Sequence, residues 1–153
     1  MITLLAAGLL PLAAALPGVF TVDDDGPADF ADLASADASP LVADGDTLLV
    51  EPGSYPDTTL TKGLHILAAD ERGFDLGDLV VERVPSFSLV GAELTGLTLR
   101  DIPGTALVDR CRVFQLHWSG ISAFRTSFVV AERCGDLVLQ RSELSGTDFC
   151  YSG

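Results

Sequence analysis

The 153-residue chain has few basic residues, and this shortage excludes two classes of partner. Nine lysines and arginines face 22 aspartates and glutamates, which gives a formal net charge of −13. Because such a chain repels phosphate backbones and anionic lipid, nucleic acid and membrane surfaces are unsuitable partners for it. The acidic excess fits a soluble surface, a saline environment or cation binding, and composition alone does not separate these.

Signatures of metal binding and catalysis are also missing. The three cysteines, Cys111, Cys134 and Cys150, form no C-x-x-C motif and no cluster with histidine at zinc spacing. No G-x-S-x-G motif and no phosphate-binding loop occurs. His65 and His117 stand alone between apolar neighbours, so both are predicted to face solvent. The sequence therefore argues against structural zinc and displays no catalytic centre.

The first nineteen residues carry no charged side chain. They are mostly apolar and pass through Ala13-Ala14-Ala15, which resembles the cleavage site of a secretory signal peptide. We predict a signal peptide over residues 1–15, a secreted, cell-surface or periplasmic protein, and no membrane insertion after its removal. The alternative is a helix that packs on the domain or serves as an anchor, although Pro11 and Pro17 disfavour a long spanning helix.

The carboxy-terminal half of the chain repeats itself. Segments 80–96, 107–123 and 130–146 align with shifts of 27 and 23 residues, and segment 64–70 aligns with 87–93 at a shift of 23. Self-similarity of this kind is typical of solenoids, in which each repeat forms one coil. The repeats therefore predict a stack of similar coils.

Within the repeats, short apolar runs alternate with polar residues. This period of two predicts half-buried strands, and the helical period is absent. Strands in repeats of this length favour an all-β parallel β-helix of about four to five coils over a leucine-rich repeat. Because matching residues of stacked coils lie about 4.8 Å apart, Phe87, Phe114 and Leu137 are predicted to form one inward column.

The amino-terminal half resembles a known family. The stretch TVDDDGPADF, a short helix predicted over residues 28–38, and the segments GDTLLVEPGSY and TLTKGLHIL resemble the opening of secreted right-handed parallel β-helix proteins of the pectin-lyase-like superfamily. The resemblance implies a strand, a turn and a cap helix over residues 16–46 and right-handed coils over residues 47–153. Because no polar cap follows the last repeat, we expect the carboxy-terminal edge to continue into further coils or to be covered by a partner.

An acid followed by arginine recurs in the aligned repeats, as Glu82-Arg83, Asp109-Arg110 and Glu132-Arg133. The structural interpretation is a polar turn on successive coils, in which each arginine offsets the crowding of stacked carboxylates. The functional interpretation is a column of carboxylates beside a column of guanidinium groups, which binds calcium or an acidic polysaccharide. Even spacing favours the turn, and the last two pairs are retained as candidate ligand-binding residues.

Three further residues, Gln115, His117 and Trp118, depart from their columns. With Gln115 and His117 pointing outward beside it, Trp118 is the best candidate for stacking on a carbohydrate. Cys111 aligns with Cys134, which predicts either a column of buried thiols or a disulfide between coils.

The predicted function is an exported, non-catalytic scaffold that contacts a polysaccharide or a cell-surface glycan. One alternative is a fragment of a polysaccharide lyase or glycoside hydrolase acting on acidic polysaccharide, and another is a purely structural module. The resemblance implies calcium and an arginine base for a lyase and clustered aspartates for a hydrolase, but the hydrolase signatures are absent. The residues Asp23–Asp25 lack the alternation of a calcium loop, so a capping turn is predicted there, with Ca²⁺ as the alternative.

Overall fold

The computed structural model describes residues 16–113, 129–132 and 134–144. In these ranges the chain folds as a parallel β-solenoid of about four turns, which confirms the predicted fold class. In chain order the elements are β1 (Val19–Val22), α1 (Leu33–Ala38), β2 (Thr47–Val50), β3 (Ser54–Tyr55), β4 (Thr58–Leu60), β5 (His65–Ala68), β6 (Phe74–Glu82), β7 (Phe87–Val90), β8 (Ala92–Arg100), β9 (Thr105–Asp109), β10 (Arg112–Val113), β11 (Val129–Glu132), β12 (Asp136–Gln140) and β13 (Glu143–Leu144).

The strands form two parallel sheets. Sheet A has the spatial order β1-β2-β5-β7-β9-β12, and sheet B has the order β13-β10-β8-β6-β3. The short strands β4 and β11 extend sheet B by pairing with β6 and β8. From β2 onward the chain visits sheet A and then sheet B in each coil, so each of these coils adds a layer to both sheets, whereas β1 leads into α1.

Inward residues of the two sheets stack in apolar columns. Leu48, Ile66, Leu89 and Val108 lie on successive strands of sheet A in one register, and each is fully buried. Since parallel strands lie about 4.8 Å apart, every side chain in the column packs on the one above and the one below it. Sheet B contributes buried columns of the same kind, among them Leu60, Val81 and Leu99.

The register of β5 on β7 confirms the weakest of the predicted alignments. Ile66 pairs with Leu89 across the two strands. Beside them, His65 and Ser88 meet at a separation of 23 residues, which is the predicted shift. His65 is exposed, as its apolar neighbours predicted.

The predicted column of Phe87, Phe114 and Leu137 is wrong in its middle member. Phe87 pairs with Ala106, and Ala106 pairs with Leu137, so a small residue separates the two larger ones. Phe114 lies outside the described residues. Coil lengths are also less regular than predicted, because Arg112 contacts partners 19 residues before it and 31 residues after it.

The acid-arginine pairs explain this misalignment, because they end strands of both sheets. Glu82-Arg83 ends β6 in sheet B, whereas Asp109-Arg110 ends β9 in sheet A. Arg83 and Arg110 both adopt left-handed backbone conformations, with φ of 58° and 52°. A strand that turns sharply into the next sheet uses such a residue at its end. The same dipeptide therefore recurs at two different corners, and its recurrence does not mark one column.

The helix α1 is shorter than the predicted span of residues 28–38. It begins after Asp32, whose carboxylate accepts a hydrogen bond of 2.6 Å from the backbone N–H of Ser35. The preceding segment is held against β1, because the N–H of Phe30 donates to the carbonyl of Thr21 at 3.1 Å. Because Phe30 makes this strand-like contact, the residues before Asp32 are not helical, and the helix begins later than predicted.

The same helix covers the amino-terminal edge of sheet B. Leu33 and Ala36 are fully buried, and the helix packs against β4. The carboxylate of Asp37 accepts hydrogen bonds from the backbone N–H groups of Thr61 and Lys62, at 3.1 and 3.0 Å. These contacts make α1 the predicted cap of the coil stack. Among the described residues, no helix combines the length and apolarity needed to cross a bilayer.

The buried column that contains Leu89 predicts a large loss of stability when one of its side chains is shortened. Leu89→Ala should lower the free energy of unfolding by about 2–5 kcal/mol, because it opens a cavity between Ile66 and Val108. Leu41→Ala is the control, since Leu41 is 74% exposed and its loss should cost under about 0.5 kcal/mol. Urea titration measures both values, and similar losses in the two variants would contradict the stacked core.

Candidate functional site

A cleft of about 290 Å³ opens at the corner where sheet A turns into sheet B. Its walls come from successive coils and are formed by Glu71, Arg72, Ala92, Glu93, Arg110, Cys111, Arg112, Arg141 and Glu143. Four of these residues are arginines, in a chain whose net charge is −13. Three others are glutamates, so the guanidinium groups outnumber the carboxylates of the lining by one.

Asp109 anchors one wall of the cleft. It is 7% exposed, and its carboxylate accepts hydrogen bonds from Nε of Arg141 at 2.9 Å and from Nη2 of the same residue. These hydrogen bonds hold the pKa of Asp109 below its ordinary value and raise the pKa of Arg141. Because its oxygens are engaged by Arg141, Asp109 acts as a positioning residue in this arrangement.

Arg110 is held more loosely than Arg141. Its Nε lies 3.8 Å from Oδ2 of Asp109, which is beyond hydrogen-bond range, and its side chain is 49% exposed. A guanidinium group carries five N–H donors in a planar fork. Arg110 therefore presents these donors to the cleft and to solvent.

Arg112 crosses the cleft between two coils. It contacts Glu93 in the coil before it at 2.6 Å and Glu143 in the coil after it at 3.2 Å. All three side chains are well exposed, so each ion pair contributes little to stability. The pairs instead fix the position of the Arg112 guanidinium.

Arg72 forms the far end of the cleft. Its Nε donates to Asp70 at 2.8 Å, and this hydrogen bond is the main reason why the pKa of Asp70 lies below its ordinary value. Arg72 is exposed, and it belongs to the turn between β5 and β6. The arginines thus extend along the solenoid axis over several coils.

Two of the cleft arginines occupy backbone positions that favour glycine. Gly91 precedes Arg110 by one coil, and its N–H donates to the carbonyl of Asp109. The three corner residues Gly91, Arg110 and Arg141 have φ of 81°, 52° and 45°. A left-handed conformation costs an L-residue other than glycine about 1–2 kcal/mol. Arginine at this corner is therefore not explained by local backbone preference.

The predicted carboxylate column of Glu82, Asp109 and Glu132 is not formed. Glu82 pairs with Arg100, and Arg100 pairs with Glu132, all within sheet B. Asp109 lies in sheet A, where it pairs with Gln140. The two acidic positions of sheet B are therefore separated in register by Arg100, so that like charges do not occupy neighbouring strands.

Of the predicted ligand-binding residues, Arg110 lines the cleft, and Asp109 lies behind it with its carboxylate bound by Arg141. Glu132 lies on sheet B, at the end of β11. Gln115, His117, Trp118 and Arg133 lie outside the described residues.

The cysteines do not stack as the repeats predicted. The backbone N–H of Cys111 donates to Oγ of Ser142 at 3.2 Å, so Ser142 occupies the level above Cys111. Cys134 precedes Gly135, whose N–H donates to the carbonyl of Ile102. The structure joins Cys111 and Cys134 by no disulfide. Cys111 is 2% exposed, and burial raises the pKa of its thiol.

The acidic turn Asp23–Asp25 brings three carboxylates within 4.8 Å of one another. Oδ1 of Asp23 accepts from the N–H of Asp25, and Oδ2 of Asp24 accepts from the N–H of Ser54, both at 3.2 Å. These contacts fit the predicted capping turn, because carboxylates here satisfy backbone donors. Calcium binding at this turn stays a prediction.

Sequence reasoning missed three arginines of the cleft, Arg72, Arg112 and Arg141. Arg141 follows Gln140 and so lacks the preceding acid on which the motif search relied. A search for residues aligned with Gly91 on later coils would have found Arg110 and Arg141 together. That search needs the true register, which the repeats alone did not supply.

Comparison with family models, with curated proteins and with solved structures finds no match to this chain. The parallel coils and the amino-terminal helix agree with the fold that the resemblance to pectin-lyase-like proteins implied. The arginine cleft is described by its own geometry.

The Asp109–Arg141 pair predicts that the free energy of unfolding depends on pH in the acidic range. Because the pKa of Asp109 is lower in the folded chain, the pair stabilises the fold above the ordinary aspartate range and loses this contribution as pH falls through the folded pKa. A double-mutant cycle with Asp109→Asn and Arg141→Gln should therefore give a coupling energy that is largest at pH 7 and shrinks below about pH 4.

Urea unfolding of the four proteins at neutral and acidic pH measures this coupling. Arg141→Gln keeps a long polar side chain at the left-handed position, so backbone strain is matched between the variants. An equal coupling energy at pH 7 and at pH 3 would contradict the assignment.

Proposed function

We propose that the protein is an exported, non-catalytic β-solenoid that binds an anionic glycan in its arginine cleft. The observation that carries this proposal is the convergence of four arginines on one cleft, where they outnumber the three lining glutamates although the chain as a whole is acidic. The proposal has three parts: glycan contact, export and kinship with pectin-lyase-like proteins. Glycan contact rests on the cleft, whereas export and kinship rest on the sequence motifs.

The chemistry of the cleft selects ligands that carry carboxylate or sulfate groups. A guanidinium fork matches the two oxygens of such a group and forms charge-assisted hydrogen bonds with it. Arg110 and Arg141 occupy the same corner on consecutive coils, which lie about 4.8 Å apart. A linear polymer with an acidic group on every sugar offers repeated charges to this series. The lining glutamates Glu93 and Glu143 are paired with Arg112, which leaves the half-exposed Arg110 as the guanidinium most open to such a polymer.

The backbone strain at the corner also supports a binding role. Arg110 and Arg141 adopt a conformation that Gly91 adopts without a Cβ penalty. Strained positions of this kind cluster at ligand sites, where the side chain offsets the cost of the backbone. Arg110 supports the proposal most directly, because it is half-exposed and its Nε lies 3.8 Å from Asp109, beyond hydrogen-bond range.

Removal of the Arg110 guanidinium is the sharpest test of the cleft. Arg110→Gly should weaken binding of polygalacturonate or alginate oligosaccharides about tenfold or more, because it deletes a charge-assisted contact. Its unfolding free energy should be unchanged or slightly higher, since glycine relieves the left-handed strain. Calorimetric titration measures the affinity, with neutral dextran as the ligand control.

Arg83→Gly is the matched control. Arg83 also follows an acid and also has a positive φ, but it lies at the end of β6 and does not line the cleft. Equal losses in the two variants would show that binding depends on total charge, and undetectable binding by the wild-type protein would refute the proposal. Calcium-dependent release of unsaturated ends from either polymer would instead establish the lyase alternative.

A further inference from the structure

The cleft is ordered along the solenoid axis, because its walls come from successive coils. Glu71 follows β5, Gly91 follows β7 and Arg110 follows β9. Since β5 pairs with β7 and β7 pairs with β9, these residues belong to three consecutive coils. Two steps of about 4.8 Å place Glu71 and Arg110 about 10 Å apart along the axis. Gly91, at the corner between them, contributes no side chain.

Arg110 supplies open hydrogen-bond donors at one end of this distance. Its side chain is 49% exposed and makes no hydrogen bond among the described residues, with Asp109 at 3.8 Å. The next guanidinium group in the corner column, that of Arg141, is already bound to the same carboxylate. The fork of Arg110 is therefore the one in this column that an incoming carboxylate reaches.

Glu71 supplies an open carboxylate at the other end. It is exposed, and it takes part in no hydrogen bond or ion pair within the part of the chain that the structure describes. The adjacent Arg72 is paired with Asp70 at 2.6 Å. The two other glutamates of the lining are both held by Arg112. The cleft thus has an open guanidinium group at one end and an open carboxylate at the other.

We propose that the cleft prefers a glycan in which an acidic sugar alternates with a neutral one. This inference rests on the proposed function and names the class of glycan that the same cleft selects. A uronate bound by Arg110 directs the next sugar toward Glu71. If that sugar is neutral, its hydroxyl groups donate hydrogen bonds to the Glu71 carboxylate. If it is also a uronate, its carboxylate meets Glu71 as a like charge.

The size of the cleft supports a short recognised segment. Its volume is about 290 Å³, at the lower limit of the range of about 300–1,000 Å³ that is usual for ligand sites. Two linked sugar rings span the distance between its open ends. A polymer with an acid on every sugar still places one carboxylate at Arg110, but it binds more weakly because the next carboxylate meets Glu71.

Calorimetric titration with three oligosaccharides tests this preference. A hyaluronan tetrasaccharide alternates acidic and neutral sugars and carries two carboxylates. Digalacturonate matches its charge, and tetragalacturonate matches its length. The hyaluronan tetrasaccharide should bind about two- to fivefold more tightly than either, which is the range that one exposed charge contact supplies. The titrations are run at low salt, because salt screens exposed charges.

Glu71→Gln is the decisive variant. It should strengthen binding of tetragalacturonate about two- to fivefold by removing the like charge. It should also weaken binding of the hyaluronan tetrasaccharide, because a neutral amide accepts a weaker hydrogen bond than a carboxylate. Glu82→Gln is the matched control, since it removes the same charge at the end of β6 in sheet B and should leave the preference intact. Urea unfolding verifies that both variants fold.

Each outcome decides the inference. Tetragalacturonate that binds the wild-type protein as tightly as the hyaluronan tetrasaccharide, or an equal effect of Glu71→Gln and Glu82→Gln, overturns it. If tetragalacturonate binds without this preference and Arg110→Gly abolishes that binding, the inference fails while the proposed function stands. Undetectable binding of all three oligosaccharides by the wild-type protein overturns both.

Discussion

The parallel hydrogen-bond ladder between coils is the constraint on which the rest of the structure depends. It fixes neighbouring strands at about 4.8 Å and therefore places like positions of successive coils directly over one another. A buried position must then be apolar in every coil, as Leu48, Ile66, Leu89 and Val108 are. Most polar residues lie at outward positions and corners, and Thr58 on β4 is a buried exception. The arginine cleft lies at a corner, where the ladder leaves the side chain unconstrained.

The same ladder converts a chain with irregular repeats into a regular surface. Coil lengths vary, as shown by the contacts of Arg112 with Glu93 and Glu143 at separations of 19 and 31 residues. The strands nevertheless stay in register, so the extra residues are placed in the connections. Corners such as the one that carries Arg110 and Arg141 remain aligned while the connections differ. Aligned corners are what allow side chains from distant parts of the sequence to line one cleft.

The sequence was sufficient to predict the fold class because apolar alternation reports directly which positions face the core. Ile66 and Leu89 were placed correctly by this signal. The register between later coils was not predictable in the same way, because an extended residue followed by a left-handed one ends strands of both sheets. Glu82-Arg83 and Asp109-Arg110 therefore look equivalent in sequence but lie at different corners. For this reason the motif identified Arg110 but not Arg141. Arg141 follows Gln140 and no acid, and only the register of β12 on β9 shows that it occupies the same corner as Arg110.

The left-handed corners have a chemical consequence over the lifetime of the protein. Outside glycine, asparagine is among the residues that most readily adopt this conformation, and asparagine in an exposed turn ages by deamidation. This chain contains no asparagine, and the described left-handed positions are occupied by arginine, aspartate and glycine. The corners are thus built without the amide that hydrolyses most easily. The accepted backbone strain at Arg110 and Arg141 goes together with corners that carry no amide side chain to deamidate.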